Sequence, residues 1–489
     1  MELKTLGSLG FVIDGMPLAQ ATYDAASQGR RLKGWAPGAA GPTRSVVGQL
    51  STVRARSRDA ARNNGWIANG IGNWVSNEIG TGIKPRSKAK DRAFAMAANA
   101  LWEEEFAKTA DHDGVLDVYG LMALAVRSRK EAGEVFVRIH RMPLNAGLPV
   151  PLQFQLIEAD QCPHTHNEQR SDRQVVAGVE FANGKRTRYW MYARHPGEPG
   201  LGNTQLVPID ARDIIHHFAP MRPGQVRGMA ETVQALVKAR DFDEYDDAEL
   251  TRKKTRANYT GAIKRQGYDE EDFKFDPFTG DPIDSSSGVP VVSLEPGTFP
   301  ALLPGEEIQL FDGDQGGGYG DFMRQQLMGV AAALGIPYEL LSGDMRNVND
   351  RILRALLNEY RRHIEQYQWL YTIPQLCQRM WEAFIDAAVL AGRLRAPDYA
   401  TRRREYLACD WRPQAWRYLH PVQDAQGELM LIKGGLSSRA DAAAERGYDV
   451  EEIDQKNQAD AARAKKLGLS YSHDPVPDQP SEDAPEKRP

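Results

Sequence analysis

The stretch VVAGVEFANGKRTRYWMYARH, residues 175–195, contains the strongest local fold signal in this sequence. Its Asn183-Gly184 dipeptide stands between two strand-like runs and favours the type I′ turn of a two-residue β-hairpin. Outside this hairpin, between residues 134 and 218, apolar residues recur at every second position, which is the period of a strand. The pattern predicts one antiparallel β domain.

Helical periodicity replaces the two-residue period downstream of this region. It predicts a long, mostly solvated helix over residues 228–257, acidic in its middle and basic at its end, where cations meet the negative end of the helix dipole. A helix marked by Leu327 and Leu334 is expected to end at the glycine that follows. The clearest amphipathic pattern starts at Leu353, and Pro374 is expected to end that helix or to start its successor.

The segments around these helices have other compositions. Residues 268–320 are dense in Gly, Pro, Asp and Ser, with strand-like pieces at 289–294 and 308–311, which indicates a small β module between two helices. Further helices are predicted from residue 423 to residue 467. Residues 471–489 have the composition of a disordered tail. Together these patterns predict an α+β fold.

Composition excludes several classes of protein. The chain has 489 residues and a net charge of -5, and a surface that wraps DNA by neutralising phosphates would be basic. Cys162, Cys377 and Cys409 show no paired spacing, so neither a disulfide framework nor a zinc site is indicated. We find no membrane-length apolar run and no secretory pattern, and we expect a protein of the cytoplasm.

The N-terminal part differs from the rest in charge. Between residues 30 and 62 eight basic residues stand against one acidic residue, Asp59, so the local charge is +7. Gly, Pro and Ala dominate residues 34–42, which is typical of a mobile arm. A solvated basic face, contact with nucleic acid and contact with an acidic neighbouring subunit all remain open for this arm.

Two glycine-containing stretches do not match the motif of a nucleotide-binding loop. GDQGGGYG (313–320) lacks the Lys-Ser or Lys-Thr of a phosphate-binding loop, and in GTGIK (80–84) the lysine is followed by Pro85. No metalloprotease, hydrolase or kinase motif occurs, and the carboxylates show no acid/base spacing. We therefore expect a protein that is not an enzyme and binds no cofactor.

Metal ligation is also disfavoured. Cys162, His164 and His166 are crowded into five residues with no second cluster, so a surface loop is the better interpretation. His216 and His217 are neighbours on a strand, and neighbouring side chains face opposite sides of a sheet. These two histidines are not expected to form one site.

Ordered blocks of sequence carry a family resemblance. Residues 61–86, ARNNGWIANGIGNWVSNEIGTGIKPR, resemble the early helix of lambda-type phage portal proteins. One departure is NVNDRILR (347–354), where that family usually reads Asn-Tyr-Ser-Ser-Ala-Arg. The other blocks, in the family's order, are GEVFVR (133–138), LQFQLIEADQC (152–162), GVEFANGKRTRYWMYARHPG (178–197), DIIHHFAPMRPGQVRGMA (213–230), ALGIPYELLSGDM (333–345) and WRPQAWRYLHPVQDAQGELMLIKGGLSSRADAAAERGYDVEEI (411–453).

The resemblance implies a portal fold within the α+β class, with a mixed α/β wing, a helical stem, a small β-containing clip and a helical crown. The implied divisions are an N-terminal basic arm (1–50), a first wing part (51–227), a stem helix (228–257), a clip (258–320), a second stem helix (321–335), a tunnel loop (336–350), long wing helices (351–410), a crown (411–470) and a tail (471–489).

It also implies a function and partners. A ring of about twelve copies would form a channel at one capsid vertex of a virion, assembled in the host cytoplasm, through which double-stranded DNA passes without sequence specificity. The implied protein partners are the terminase large subunit, a head-completion or adaptor protein, and the major capsid and scaffolding proteins. Two rivals stay open, namely a head-tail connector ring and a metal-dependent DNA-processing enzyme.

On this mapping the DNA-facing surface is a polar, weakly charged loop. Asp344 and Asp350 are expected to offset Arg346, and such a loop lets DNA slide because it holds phosphates weakly. Candidate loop residues are Ser342, Asp344, Met345, Arg346, Asn347, Val348 and Asn349, and candidate stem-lining residues are Arg252, Lys253, Lys254 and Arg256.

Overall fold

The computed structural model describes residues 33–35, 37–198, 205–258, 318–346, 348–416 and 420–469, together with the backbone of short strands outside these ranges. The strands are β1 (Lys4–Thr5), β2 (Phe11–Ile13), β3 (Met16–Pro17), β4 (Lys84–Ser87), β5 (Glu134–Arg141), β6 (Leu152–Glu158), β7 (Glu168–Gln169), β8 (Gln174–Val176), β9 (Val179–Ala182), β10 (Lys185–Tyr192), β11 (Leu206–Asp210), β12 (Ile214–Phe218), β13 (Gly261–Arg265), β14 (Glu306–Leu310) and β15 (Cys409–Arg412). The α-helices are α1 (Pro42–Val47), α2 (Leu50–Asn63), α3 (Gly65–Glu78), α4 (Arg92–Ala100), α5 (Ala107–Thr109), α6 (Val118–Ala132), α7 (Val233–Asn258), α8 (Tyr319–Leu334), α9 (Tyr338–Ser342), α10 (Asp350–Tyr367), α11 (Gln378–Leu390), α12 (Tyr399–Tyr406), α13 (Pro421–Lys433), α14 (Arg439–Glu445) and α15 (Val450–Leu467).

The predicted hairpin is confirmed. Ala182 pairs with Lys185 in the antiparallel ladder of β9 and β10, so Asn183 and Gly184 form a two-residue turn. Their φ angles of 50° and 73° are those of a type I′ turn. This hairpin is the centre of a five-stranded antiparallel sheet in the order β11-β10-β9-β8-β7.

A second sheet, in the order β12-β5-β6, contributes to two hydrophobic cores. On one face of β5, Val135 and Val137 enter the main core with the helices. On the other face, Phe136 packs with Tyr189 of the five-stranded sheet, their ring centres 5.6 Å apart. Because alternate residues of a strand point to opposite faces, one strand joins the helical layer to the five-stranded sheet.

The helical core is built on aromatic side chains. Trp102 and Phe106 belong to a π-helical stretch, Leu101–Phe106, that follows α4. The Trp102 ring centre lies 5.4 Å from that of Trp381 and 5.0 Å from that of Phe384, both on α11. Aromatic rings at these separations add to the free energy gained from burying their area.

The prediction that Pro374 ends the long amphipathic helix or starts its successor is wrong, because Pro374 lies inside a continuous helical segment. From α10 the chain passes through a π-helical stretch, Gln368–Cys377, into α11, and the junction residues keep right-handed helical φ and ψ angles. Proline lacks the N–H of a regular helical bond, and the wider π-helical turn accommodates that loss. Residues 350–390 therefore form one nearly continuous helical segment.

The predicted acidic helix is α7, which begins at Val233, five residues later than expected. It packs against α8, and the ring centre of Tyr245 on α7 lies 4.8 Å from that of Phe322 on α8. As predicted, α8 ends before Gly335, whose φ of 69° is left-handed.

In the chain between the two helices, β13 pairs antiparallel with β14, the strand predicted at 308–311. The strand predicted at 289–294 and the tail lie outside the described residues.

The C-terminal part begins on a two-stranded ladder. β15 pairs antiparallel with β4, with Trp411 opposite Pro85. The helices predicted from residue 423 onward are α13, α14 and α15. Within the described residues no helix combines the length and the apolar composition needed to cross a bilayer.

Candidate nucleic-acid interface

The segment implied as the tunnel loop, residues 336–350, contains the helix α9, so the first candidate loop residue, Ser342, is helical. Ser342 is the last residue of α9, and its hydroxyl donates to the Tyr338 carbonyl (2.7 Å) and accepts the Asp344 amide (3.1 Å). Gly343 then takes a left-handed conformation, with a φ of 70°, which ends the helix. The loop proper therefore begins at Gly343.

Asp344 and Arg346 form a two-point ion pair inside the loop. Arg346 donates from Nε and Nη2 to the two carboxylate oxygens, both at 2.8 Å, and Tyr338 donates to the same carboxylate at 3.1 Å. Hydrogen bonds from Arg346 hold the pKa of Asp344 far below its usual range. The arginine side chain is 80% exposed, against 13% for the aspartate. The exposed guanidinium thus has its charge balanced within the loop.

The rest of the loop carries no further charged side chain before Asp350. Met345 is 49% exposed, and Val348 is half-buried. The Asn349 side chain accepts the Ile352 amide at 2.9 Å and so caps α10. Asn347 lies outside the described residues. The loop therefore presents a thioether and a paired guanidinium to its surroundings.

The expectation that Asp350 also offsets Arg346 is wrong. Asp350 is the first residue of α10, and its Oδ2 lies 2.7 Å from Nε2 of His420. His420 immediately precedes α13. The second carboxylate of the loop region therefore contacts the C-terminal helices instead of the loop arginine.

Side chains from α3 hold α9 in place. Asn69 donates to the Leu341 carbonyl (2.8 Å) and Asn73 to the Leu340 carbonyl (3.0 Å), which satisfies oxygens at the end of a helix. Gly70, between the two asparagines, faces both α8 and α9, where a Cβ would lie 2.7 Å from Leu334 Cδ1 and 3.5 Å from Leu341 Cδ1. These asparagines are not among the candidate residues that the sequence patterns indicate. Their spacing of four residues, which places them on one helix face, was the available signal.

The candidate stem cations lie elsewhere. Arg252 Nη2 is 2.7 Å and Lys253 Nζ is 3.7 Å from the same oxygen of Glu249. Lys254 is exposed, and the side chain of Arg256 lies outside the described part of the chain.

The structure does not bring these cations and the loop together. Lys253 Nζ lies 4.6 Å from the ring centre of Tyr319, at the start of α8. The loop follows the other end of α8, which has 16 residues and is therefore about 24 Å long. The stem cations and the loop are two separate surfaces.

A buried carboxylate, Glu134, lies behind the entrance to α7. It accepts Nε of Arg227 at 2.8 Å, Nε2 of His216 at 2.8 Å and the amide of Gly228 at 2.8 Å, and it also pairs with Arg54. Burial would raise the pKa of Glu134, but the two arginines hold it well below its usual value. The carboxylate therefore stays charged and fixes the segment that leads into the helix.

A second buried cluster lies on the other side of the same segment. Arg129 donates to Glu78 at 2.7 Å and 2.9 Å and to Glu231 at 2.8 Å. Burial would raise the pKa of Glu78, but Arg129 lowers it to about 2. Thr372, from the π-helical stretch, donates to Glu78. The early helix, α6, the chain entering α7 and the long helical segment thus meet at one ion cluster.

His216 and His217 face opposite ways, as the strand period predicts. His216 contacts Glu134, whereas Nδ1 of His217 lies 3.1 Å from the side-chain oxygen of Gln375. Burial lowers the pKa of His216 to about 4 and that of His217 to about 3. Both rings are therefore neutral at pH 7 and serve as structural hydrogen-bonding groups.

The geometry does not favour a metal site at the cysteine and histidine cluster. Cys162 is buried, its thiol donates to the Gly178 carbonyl (3.7 Å), and burial raises its pKa to about 11. Among the described residues, Glu158, Asp160 and His195 do approach metal-ligand spacing. However, Arg58 Nη2 lies 2.8 Å from Glu158 and 2.7 Å from Asp160. A guanidinium already supplies the positive charge there.

Comparison with known proteins places these features in a family. The family model described as "Phage portal protein, lambda family" matches residues 28–368. The chain is 24% identical to the portal protein of Escherichia phage N15, over 90% of both chains. It is 23% identical to portal protein B of Escherichia phage lambda, over 90% of this chain and 89% of that one. A chain in the solved virion of a native gene transfer agent particle superposes with a TM-score of 0.45 at 14% identity, covering 82% of this chain and 93% of the other.

Proposed function

Because this chain belongs to the lambda family of phage portal proteins, we propose that it forms the ring-shaped channel at one capsid vertex for packaging and ejection of double-stranded DNA. The family match carries the proposal, since residues 28–368 include both sheets, α7, α8 and the loop after α9. In this role the protein is a structural part of the virion. A ring of about twelve copies would be closed by head-to-tail interfaces.

The elements map onto such a ring as follows. The two sheets with α2, α3 and α6 are the first part of the wing, and α7 and α8 are the stem. The paired strands β13 and β14 belong to the clip, and α10 to α12 complete the wing. The helices α13 to α15 are the crown. This mapping is supported by the antiparallel pairing of β13 with β14 between α7 and α8, because the chain leaves the first helix and returns to the second through paired strands.

The loop at residues 343–349 is the DNA contact in this proposal. DNA carries a charge about every 1.7 Å along its axis, so free cations around the channel would hold it through the release of counterions. Arg346 is exposed but paired with Asp344, so the loop offers little net charge. Such a lining guides DNA while resisting its movement weakly.

The force for packaging comes from a partner in this proposal. We assign docking of the terminase large subunit, and later of a head-completion or adaptor protein, to the clip. The major capsid and scaffolding proteins would meet the wing during assembly in the host cytoplasm.

Negative-stain microscopy of the purified full chain is the first test. We expect rings with a central hole, and monodisperse monomers under all assembly conditions would refute the proposal.

The loop assignment needs a variant that still forms rings. Arg346→Ala removes an exposed side chain, so we expect intact rings with altered packaging or retention of DNA. Arg362→Ala, an exposed arginine on α10 that pairs with Glu359, is the control and should leave packaging unchanged. Loss of rings in Arg346→Ala alone would contradict the assignment.

A further inference from the structure

A cavity of about 620 Å³ lies where the C-terminal helices meet the β4-β15 ladder. This volume is within the range of about 300–1,000 Å³ that ligand sites have. Its walls come from the turn before β4, from the chain after β15 and from the turn between α14 and α15. The lining includes the rings of Trp416 and Tyr448 and the cations of Lys84, Arg412 and Arg446, and no carboxylate belongs to it among the residues that the structure describes.

The turn GTGIK (80–84), which does not match a phosphate-binding loop, forms one wall of this cavity. Thr81 donates its amide to the side-chain oxygen of Gln414 at 2.9 Å. Gly80 has a φ of 57°, and a Cβ there would lie 1.8 Å from that same oxygen. The glycine therefore serves to seat the glutamine, and the turn shapes the cavity.

Two of the lining cations have carboxylate partners, Arg446 with Glu428 and Arg412 with Asp449, but the hydrogen bonds of Arg412 are incompletely made. Arg412 has a side chain only 12% exposed, and its Nε and Nη1 donate no hydrogen bond to a described residue. The nearest carboxylate oxygens are on Asp449, at 3.4 Å, and Asp410, at 4.0 Å. Lys84 is exposed and makes no ion pair within the described part of the chain. These buried N–H groups are donors available to a further acceptor, and carboxylates are the acceptors that a guanidinium binds most strongly.

One of the two aromatic rings, that of Trp416, is held by side chains of a neighbouring helix. The Trp416 indole donates to Glu365 at 3.1 Å, and the Arg361 guanidinium lies 5.3 Å from its ring centre. Both of these partners are on α10. Grooves lined by fixed aromatic rings are the surfaces on which proline-rich segments dock.

We propose that this cavity binds the chain's own C-terminal segment, residues 470–489, in the same copy. The segment contains five prolines and five acidic residues against two basic ones. Its portion from 478 to 486, DQPSEDAPE, has four carboxylates and no cation. Proline and negative charge are the two properties that the aromatic, cationic lining selects.

The length of the chain permits this contact. The 18-residue helix α15 begins two residues after Tyr448 of the lining, and it carries the chain about 27 Å away. Extended chain advances about 3.1 Å per residue, so nine residues are enough to return. Starting after Leu469, the segment reaches the cavity at about residue 478, where its acidic portion begins.

Carbodiimide cross-linking of the full-length protein, read by mass spectrometry, tests the proposal. This reagent joins a lysine amine to a carboxylate in direct contact. We expect Lys84 to be linked to Asp478, Glu482, Asp483 or Glu486. Lys90, an exposed lysine of the same region outside the lining, is the matched control and should not be linked to the tail. A Lys84 linked only to carboxylates outside residues 470–489 would overturn the proposal.

Two further measurements complete the test. In a ring assembled from isotope-labelled and unlabelled copies, the link should join equal labels, and a mixed-label link would overturn the same-copy assignment. Cleavage after Glu482 by a glutamate-specific protease should become several-fold faster in Lys84→Glu and stay unchanged in Lys90→Glu. Equal cleavage rates in the wild type and both variants would also count against the proposal. Neither readout involves DNA, so the channel function and the tail contact can fail independently.

Discussion

At the residue scale, the molecule balances its arginines in two environments. Arg346 and Asp344 pair in an exposed loop, where solvent weakens the attraction and the pair can open. Arg129 and Arg227 are fully buried, each with carboxylates as close partners. Removing one partner of a buried pair leaves a charge without compensation, which costs about 3–5 kcal/mol. The exposed pair is suited to a surface that moves, and the buried pairs to a fixed frame.

Replacing Asp344 by Asn should release Arg346 toward DNA phosphates. We expect rings of Asp344→Asn to bind nonspecific double-stranded DNA more tightly, with a steeper dependence of the binding constant on salt. Each additional phosphate contact changes the log-log slope by about 0.9. Titrations at several salt concentrations measure this.

The matched control for that variant is Asp350→Asn, because Asp350 contacts His420 and not Arg346. Its salt slope should equal that of the wild type. Equal slopes for all three proteins would show that Arg346 does not reach the DNA.

Acid should destabilise the fold well before its carboxylates titrate. Burial lowers the pKa of His216 to about 4 and that of His217 to about 3, whereas an unfolded histidine titrates near 6.5. Between these values the unfolded chain binds more protons, so stability is full above pH 6.5 and falls as the pH drops. For two histidines the slope approaches about 2.7 kcal/mol per pH unit.

Denaturant unfolding at pH 7, 6 and 5 measures this slope. Replacing both histidines by Gln should flatten it, even if the variant is less stable at every pH. An unchanged slope in that variant would assign the acid sensitivity to other groups.

At the element scale, the entrance to α7 is a tight backbone crossing. Gly133 has a φ of 87°, and a Cβ there would lie 2.2 Å from the carbonyl carbon of Met229. A Cβ on Gly228 would lie 2.0 Å from the carbonyl oxygen of Gly133. The two glycines let the start of β5 and the chain before α7 touch, with buried ion clusters on both sides.

Gly133→Ala should therefore be far more damaging than an ordinary glycine substitution. The matched control is Gly147→Ala, because Gly147 also has a positive φ, of 73°, but has open space around it. Both variants bear the backbone strain, and only Gly133→Ala adds the clash. We expect the free energy of unfolding to fall by about 2 kcal/mol or more beyond the control. Equal losses in the two variants would mean that the crossing can open at little cost.

Local chemistry decides which elements can be predicted. Asn183 and Gly184 readily adopt the positive φ angles of the turn, so the hairpin was predictable from these two residues. Pro374 suggested a break because proline lacks the N–H of a regular helical bond. The compensating π-helical turn was not predictable, because it depends on contacts with Glu78, almost 300 positions earlier. The pairing of Arg346 with Asp344 was predictable from two-residue spacing. The pairing of Asp350 with His420 was not, because it depends on how distant helices pack.

At the scale of the whole molecule, the clip should be separable from the ring. Arg265 and Glu306 are direct partners in the β13-β14 ladder, so an Asn-Gly turn can replace residues 266–305 without shifting the strands. We expect this variant to form rings like the wild type but to lose terminase docking, measured by co-sedimentation of terminase with the rings.

Two outcomes would contradict that expectation. Unimpaired docking would remove the clip from the terminase site. Failure to form rings, while a control with an Asn-Gly insertion in the exposed loop at Gly147 still forms them, would show that the replaced residues belong to the ring itself.

The asparagines of α3 also have a mechanical consequence. Drag from moving DNA on the loop would pull on α9, whose last carbonyls are held by Asn69 and Asn73. From α3 the load would pass through Glu78 to Arg129, a contact with two parallel hydrogen bonds. Parallel bonds share a load, so the interior should yield last and the single amide contacts first. Under tension α9 would detach from α3 while the buried ion cluster keeps its shape.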